Sequence, residues 1–288
     1  MIKDELITGV ILDGQARIAV VRTTDLVNEV IRMHNMGPLA AAALGRSMTV
    51  GAYLSHNLKN ESDRFNLIVD GGGPLGKICV AGEGGGFLRG FCENPTLELP
   101  LKNGKWDVGG AVGKSGQLTV IKDLGLKEPY VGKSPLVSGE IAEDFAAYLL
   151  YSEGIANAVS LGVLTDQTGC SSAGGIFMEV LPGATEEALV ILEDIAEVLK
   201  GVSEVFKEKS AKEVADFYFA HLNAEIFPPL PIRFRCRCGQ KIPNMVRSLG
   251  KKECTEIIEE QGILEVSCDY CGKKYRYNKE DLATLFEG

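Results

Sequence analysis

Cys236-Arg237-Cys238 and Cys268-Asp269-Tyr270-Cys271 put four thiols into two close pairs separated by 29 residues. Four thiolates arranged in two pairs are the donor set of a tetrahedral all-cysteine zinc site. Soft sulfur ligands suit zinc, and no histidine or carboxylate is needed to complete the shell. The two-residue spacing of the first pair is a tight bite that demands a bent local backbone. Gly239 and Gly272 follow the two pairs, where glycine would relieve crowding as backbone amides turn toward the sulfurs. A shell closed by four cysteines leaves no open position for a substrate, which argues against zinc catalysis. Structure, nucleic-acid recognition and redox sensing remain. Cys254 falls in a helical stretch over 253–260 and reads as a buried or half-buried thiol.

The energetics favour a switch. Zinc binding in units this small is worth roughly 10–16 kcal/mol at neutral pH, as much as their whole stability or more. Oxidising the thiolates removes that contribution. Disulfides closing very short loops constrain the unfolded chain little and are readily reduced again, so the change is reversible.

The elements around these cysteines fall into three parts. Residues 7–12 and 15–21 are β-rich and joined by Asp13-Gly14, a hairpin signal. Thr24-Asp25 opens a helix. Residues 38–58 are rich in small side chains and predict a helix buried on several sides. Short strands are predicted at 65–69, 75–80, 87–91, 117–121, 159–164 and 175–181, and a helix at 138–153 with Ser138 as its N-cap. Strands joined by short turns with a few helices between them indicate an α+β domain over 1–182. A helical linker follows over 183–230, and a small four-cysteine zinc-binding domain over 231–288.

Leu189, Leu192, Ile195 and Leu199 keep a helical rhythm in the linker, and Ser210 with Glu213 forms a capping box ahead of Val214, Phe217 and Tyr218. Ile191, Leu192, Ile195, Val198 and Leu199 make its candidate apolar stripe. The linker carries ten acidic and four basic residues.

Composition excludes several classes. The chain has 288 residues, 45% hydrophobic and 24% charged, as expected of a soluble globular protein. The net charge of −9 argues against a general nucleic-acid binder. No run reads as a membrane helix. Ile2-Lys3-Asp4-Glu5 is followed by no signal-peptide core, so the expected compartment is the cytoplasm.

The residues also resemble a known family, the bacterial redox-regulated thirty-three-kilodalton chaperonins. The resemblance covers essentially the whole chain. Its most specific part is the CxC and CxxC pairs at Cys236, Cys238, Cys268 and Cys271, with Phe234 before them and Leu249-Gly250 between. Independent support comes from Ala42-Ala43-Leu44-Gly45-Arg46, Gly73-Pro74-Leu75-Gly76, Lys122-Asp123-Leu124-Gly125-Leu126 and Val137-Ser138-Gly139-Glu140-Ile141-Ala142. Cys254 and Glu179 depart from the family pattern. The resemblance implies a holdase without enzymatic turnover. Reduced protein would bind one zinc ion per chain through the four thiolates and be inactive. Oxidation would form Cys236–Cys238 and Cys268–Cys271 disulfides, expel zinc and unfold the zinc unit and linker. The exposed apolar surface would bind unfolding client proteins, and the active form would be a homodimer.

Two other functional classes compete with this one. Arg233, Arg235 and Arg237 around the CxC, and Lys273, Lys274, Tyr275, Arg276 and Tyr277 after the CxxC, could make a nucleic-acid-binding zinc ribbon. Residues 231–288 hold eleven Lys/Arg against nine Asp/Glu, and four thiolates with zinc bring that excess to zero. An enzyme has little support. Gly71–Lys77 has phosphate-loop glycines, but Ile78 stands where Ser or Thr is required and a strand follows where a helix is needed. His34, His56 and His221 are isolated in sequence, and Cys170 has no histidine nearby.

Overall fold

A computed structural model of the chain describes residues 2–199 and 201–287; Met1, Lys200 and Gly288 lie outside it. The chain forms two compact units, Met1–Phe234 and Arg235–Gly288. The fold is α+β, as expected.

In the first unit, β1 (Glu5–Ile11) and β2 (Ala16–Arg22) form the expected antiparallel hairpin. The turn is longer than the Asp13-Gly14 signal suggests. Ile11 pairs with Ala16, so four residues make the loop, and Leu12, Asp13 and Gly14 all take positive φ. Helices α1 (Thr24–His34) and α2 (Pro38–His56) follow. Then come β3 (Arg64–Asp70), β4 (Ile78–Glu83), β5 (Phe87–Cys92), α3 (Val108–Val112), β6 (Gln117–Asp123) and β7 (Tyr130–Pro135). Helix α4 (Ala142–Tyr151) leads into the long hairpin β8 (Asn157–Asp166) and β9 (Gly169–Val180).

These strands supply four members of one sheet and five of another, with α2 between the two sheets. The helix packs on β4 and β5 of one sheet and on β8 and β9 of the other. Of its 19 residues, only Arg46 and His56 escape full burial. Small side chains make this possible. A Cβ placed on Gly51 would lie 2.7 Å from Val80 Cγ1, so the neighbouring strand sits where any larger residue would stand.

The amphipathic segment after β9 covers the outer face of the first sheet. It forms α5 (Glu186–Val198), a 3₁₀ turn over Val202–Lys207 and α6 (Ala211–Phe219). Strand alternation decides which side each residue faces. Ile18 and Val20 of β2 join Leu192, Phe206, Val214 and Phe219 of the covering segment, whereas Ala19 and Val21 join the core around α2. The predicted capping box is present, with Ser210 and Glu213 capping each other reciprocally, and Thr185 caps α5 by accepting the Ala188 amide. The predicted stripe is narrower than expected. Leu192 and Leu199 are buried and Ile191 and Ile195 half-buried, but Val198 is 67% exposed.

The chain then returns to the sheets in three two-residue strands that sequence periodicity does not reveal. β10 (Glu225–Ile226) and β11 (Leu230–Pro231) pair with β1, and β12 (Arg233–Phe234) adds a parallel edge to β5. Residues 231–234 therefore belong to the first unit. The first sheet runs β10-β1-β2-β9-β8 and the second β12-β5-β4-β3-β6-β7.

Other expectations are corrected. The strand predicted at 75–80 begins at Ile78, because Gly73 and Leu75 are hydrogen-bonded to Val112 and Ala111 instead. The glycine-rich loop before it packs backbone to backbone, with no helix following. Ser138 is not the cap of α4. The buried Asp144 carboxylate accepts the amides of Val137, Ser138, Gly139 and Ile141, and thereby builds the turn itself. That turn holds Ile141, a β-branched residue, at φ +59° and ψ −50°, a strained conformation for any side chain. The departing residue Glu179 is also buried, held by Arg17 and by the Tyr53 hydroxyl of α2.

Asp144→Ala is expected to destabilise the first unit by about 3 kcal/mol, because charged hydrogen bonds are lost and buried amides are left unpaired. Asp144→Asn should lose less. Urea unfolding followed by circular dichroism measures both, and an unchanged midpoint for Asp144→Ala would contradict this account of the turn.

Candidate metal centre

The second unit is a small layer of helices against one hairpin. It comprises α7 (Cys238–Leu249), α8 (Lys251–Gln261), the antiparallel pair β13 (Leu264–Ser267) and β14 (Lys274–Tyr277), and α9 (Lys279–Glu287). Its core is thin: Ile242, Val246, Ile258, Leu264 and Leu282 are buried together with Cys238, Cys254 and Cys268. Three of the eight buried members are therefore cysteines.

Two backbone features present the sulfurs. Cys236 precedes α7, and Cys238 is the first residue of that helix. Cys268 and Cys271 lie in the turn joining β13 to β14. There the Cys271 and Gly272 amides donate to the Cys268 carbonyl, and the Cys268 amide donates to the Lys273 carbonyl. Gly272 takes φ +67°, which glycine adopts without penalty. Gly239 does not have the role expected for it. It lies in the first turn of α7, outside the left-handed region, and an added Cβ would meet only the Tyr275 hydroxyl at 3.7 Å.

The four sulfurs all lie within 4.8 Å of one another. Cys236 Sγ is 3.7 Å from Cys268 Sγ, and Cys238 Sγ is 3.5 Å from Cys271 Sγ. Sulfurs bonded tetrahedrally to zinc at about 2.3 Å would stand about 3.8 Å apart. The donor set and its spacing therefore fit a tetrahedral thiolate-bound ion. Cys238 and Cys268 are buried and the other two half-buried.

Polar groups surround this cluster. The Cys238 amide faces Cys236 Sγ, the Lys273 amide faces Cys271 Sγ, and Tyr275 Oη lies 3.0 Å from Cys238 Sγ. Burial works against ionising Cys238, but hydrogen bonds from Tyr275 and the neighbouring thiols outweigh it and bring that thiol down to about 7. Burial pushes the Cys236 and Cys271 thiols up. A bound dication would favour the thiolate at every position.

The other cysteines sit in different surroundings. Cys254 is fully buried in α8, with its sulfur 3.5 Å from the Val246 carbonyl. Burial pushes the Cys92 and Cys170 thiols of the first unit up to about 12. His34 and His56 end α1 and α2, and His221 lies in a short turn after α6. The basic residues after the CxxC are largely engaged. Lys274 and Arg276 both pair with Glu265 across the hairpin, at 2.8 and 2.7 Å, and Lys273 lies over the Tyr275 ring. That pairing weakens the nucleic-acid alternative. Tyr275 is the functional neighbour that sequence reasoning assigned to a basic-aromatic surface, and its place beside Cys238 depends on the hairpin register.

Among the described residues no helix is long and apolar enough to cross a membrane. The Hsp33 protein family model matches residues 4–278. A 33 kDa chaperonin of Desulforamulus reducens is 41% identical over 289 residues, covering 99% of this chain and 98% of that protein. One from Clostridium botulinum is 37% identical over the same shares. The crystal structure of a 33 kDa chaperonin from Thermotoga maritima superposes with a TM-score of 0.89 at 34% identity, over 98% of each chain. Matches of this length in sequence and in structure place the chain in the Hsp33 protein family.

Proposed function

We propose that this protein is a redox-regulated holdase chaperone of the cytoplasm. Its sensor is the set Cys236, Cys238, Cys268 and Cys271, which binds one zinc ion when reduced. The observation that carries the reading is the convergence of four sulfurs, at tetrahedral spacing, inside a unit with little other core. Bound zinc supplies the cross-link that holds α7 against the β13–β14 turn. The cysteines do the sensing. Each pair of thiolates loses two electrons to one peroxide and becomes a disulfide, with Cys236–Cys238 and Cys268–Cys271 as the pairs. Their donor electrons are then unavailable to the metal, and the unit loses its cross-link.

The response lies in the covering segment. Its apolar side is hidden on the first sheet by Leu192, Phe206 and Phe219 among others. Freed, it offers unfolding client proteins an apolar surface, and its acidic residues keep that form in solution. The active form is a homodimer. No step involves substrate turnover.

Three outcomes are expected. First, the reduced protein should hold one zinc ion per chain. Cys→Ser at any of the four positions should weaken retention by at least tenfold, as measured by chelator competition. Cys254→Ser should retain zinc. Second, light scattering of a heat-unfolding client should be suppressed by peroxide-treated protein and not by the zinc-loaded reduced protein. Equal suppression by both forms would leave a constitutive chaperone with a structural metal, and none by either would end the chaperone reading. Third, Phe206→Ala should loosen the covering segment by about 3 kcal/mol and give the reduced protein partial suppression in the same assay. An inactive reduced Phe206→Ala protein with a confirmed loss of stability would dissociate the segment from client binding.

A further inference from the structure

The hydroxyl of Tyr275 stands 3.0 Å from Cys238 Sγ. Either atom could donate between two neutral groups, but a thiolate has no proton to give. In the metal-binding state Tyr275 must therefore be the donor and Cys238 the acceptor. The geometry is built and not incidental. Tyr275 faces Val266 across the hairpin, and its half-buried ring packs in the core of the unit. The hydroxyl also lies beside the first turn of α7, 3.7 Å from where a Cβ on Gly239 would stand. The Lys273 ammonium lies 5.1 Å from the centre of the Tyr275 ring. A cation on the ring face withdraws electron density and makes the phenol a better donor.

We propose that Tyr275 is the residue that sets how fast this centre responds to oxidant. Its hydrogen bond holds electron density on Cys238 that a peroxide would otherwise meet. The inference rests on the thiolate sensor described above and assigns a new part to it. The step it restrains is an electron-pair transfer. The thiolate sulfur attacks a peroxide oxygen, an S–O bond forms as the O–O bond breaks, and hydroxide leaves. A second thiolate then displaces the sulfenic oxygen as hydroxide, and the S–S bond forms. Two thiolates lose two electrons in total and one peroxide gains two. The first attack requires the sulfur lone pair that the Tyr275 proton engages. Thiolate nucleophilicity falls as hydrogen bonding stabilises the anion. The same bond orients a ligand sulfur from outside the metal shell, so it also favours metal retention.

The test uses the full chain with Tyr275→Phe, which keeps the ring and removes the hydroxyl. Zinc release by hydrogen peroxide, followed with a colorimetric chelator, should quicken about three- to tenfold after the peroxide-free release rate is subtracted. Zinc affinity by competition should fall about tenfold. With cobalt(II) in place of zinc, the sulfur-to-metal charge-transfer band should move to lower energy, a change that ring packing alone would not produce. Lys273→Gln, which leaves the hydroxyl in place, should shift the peroxide rate in the same direction by a smaller factor. It decides the case if Tyr275→Phe alters the circular dichroism of the zinc-loaded protein. Tyr277→Phe, two residues along the same strand, should behave as wild type. If the wild-type protein binds no zinc or keeps it in peroxide, the sensor reading itself fails. If the wild type responds and Tyr275→Phe matches it in rate, affinity and spectrum, or Tyr277→Phe changes them equally, the role of Tyr275 is overturned.

Discussion

The small unit depends on four sulfurs meeting at one point, because little else holds it. Five aliphatic side chains and three cysteines make its buried core. Burial of that size yields only a few kcal/mol against the entropy of ordering more than fifty residues. A cross-link between the start of α7 and the β13–β14 turn closes the loop containing α8 and fixes the hairpin to the helix. On the proposed reading, the device that stabilises the unit would also be the one chemically vulnerable to oxidants. Stability and sensitivity would then reside in the same atoms, and a stronger apolar core here would blunt the proposed response.

The first unit shows the complementary arrangement. Its core around α2 is closed on both sides by sheets and owes nothing to the cysteines of the small unit. The covering segment is different in kind. It is bound through one face, it is broken by a 3₁₀ turn, and it ends in strands of two residues each. Short strands with few paired groups open at low free-energy cost. Only Arg235 separates the last of them from Cys236 in the chain. On the proposed reading, loss of order at the four cysteines would begin one residue in the chain from a two-residue pairing of the first unit.

Much of this was legible in the sequence, and the failures have physical causes. That Cys236, Cys238, Cys268 and Cys271 come together could be read because their paired spacing is itself the signal. The β1–β2 hairpin, the buried α2 helix and the Ser210–Glu213 cap followed from local patterns. The strand over Tyr130–Pro135 was missed because Gly132 and Pro135 argue against a strand, and an edge position tolerates both. The two-residue returns at 225–234 have no periodicity to detect. Ser138 looked like a cap, and only tertiary structure shows that Asp144, two residues into α4, gathers the preceding amides. Val198 fell in the apolar rhythm, yet the helix ends there and turns it to solvent. Tyr275 could not be placed beside Cys238 without the hairpin register.

Selectivity among Cys92, Cys170, Cys254 and the four clustered cysteines follows from environment and not from residue type. A thiol reacts with peroxide as its thiolate, and it must be reached. Cys92 and Cys170 fail both conditions, since they lie in the sheets and burial pushes them up to about 12. Cys254 is fully enclosed between helices while the small unit is folded. The four clustered sulfurs are near enough to polarise one another, receive donors from backbone and Tyr275, and include two that are partly exposed. On the proposed reading, Cys254 would change category when its unit unfolds, because the helices that enclose it would be those a bound ion holds together. A fifth thiol would then be uncovered only after the sensor has fired. On that reading it would take no part in detection, and its chemistry would belong to the unfolded state.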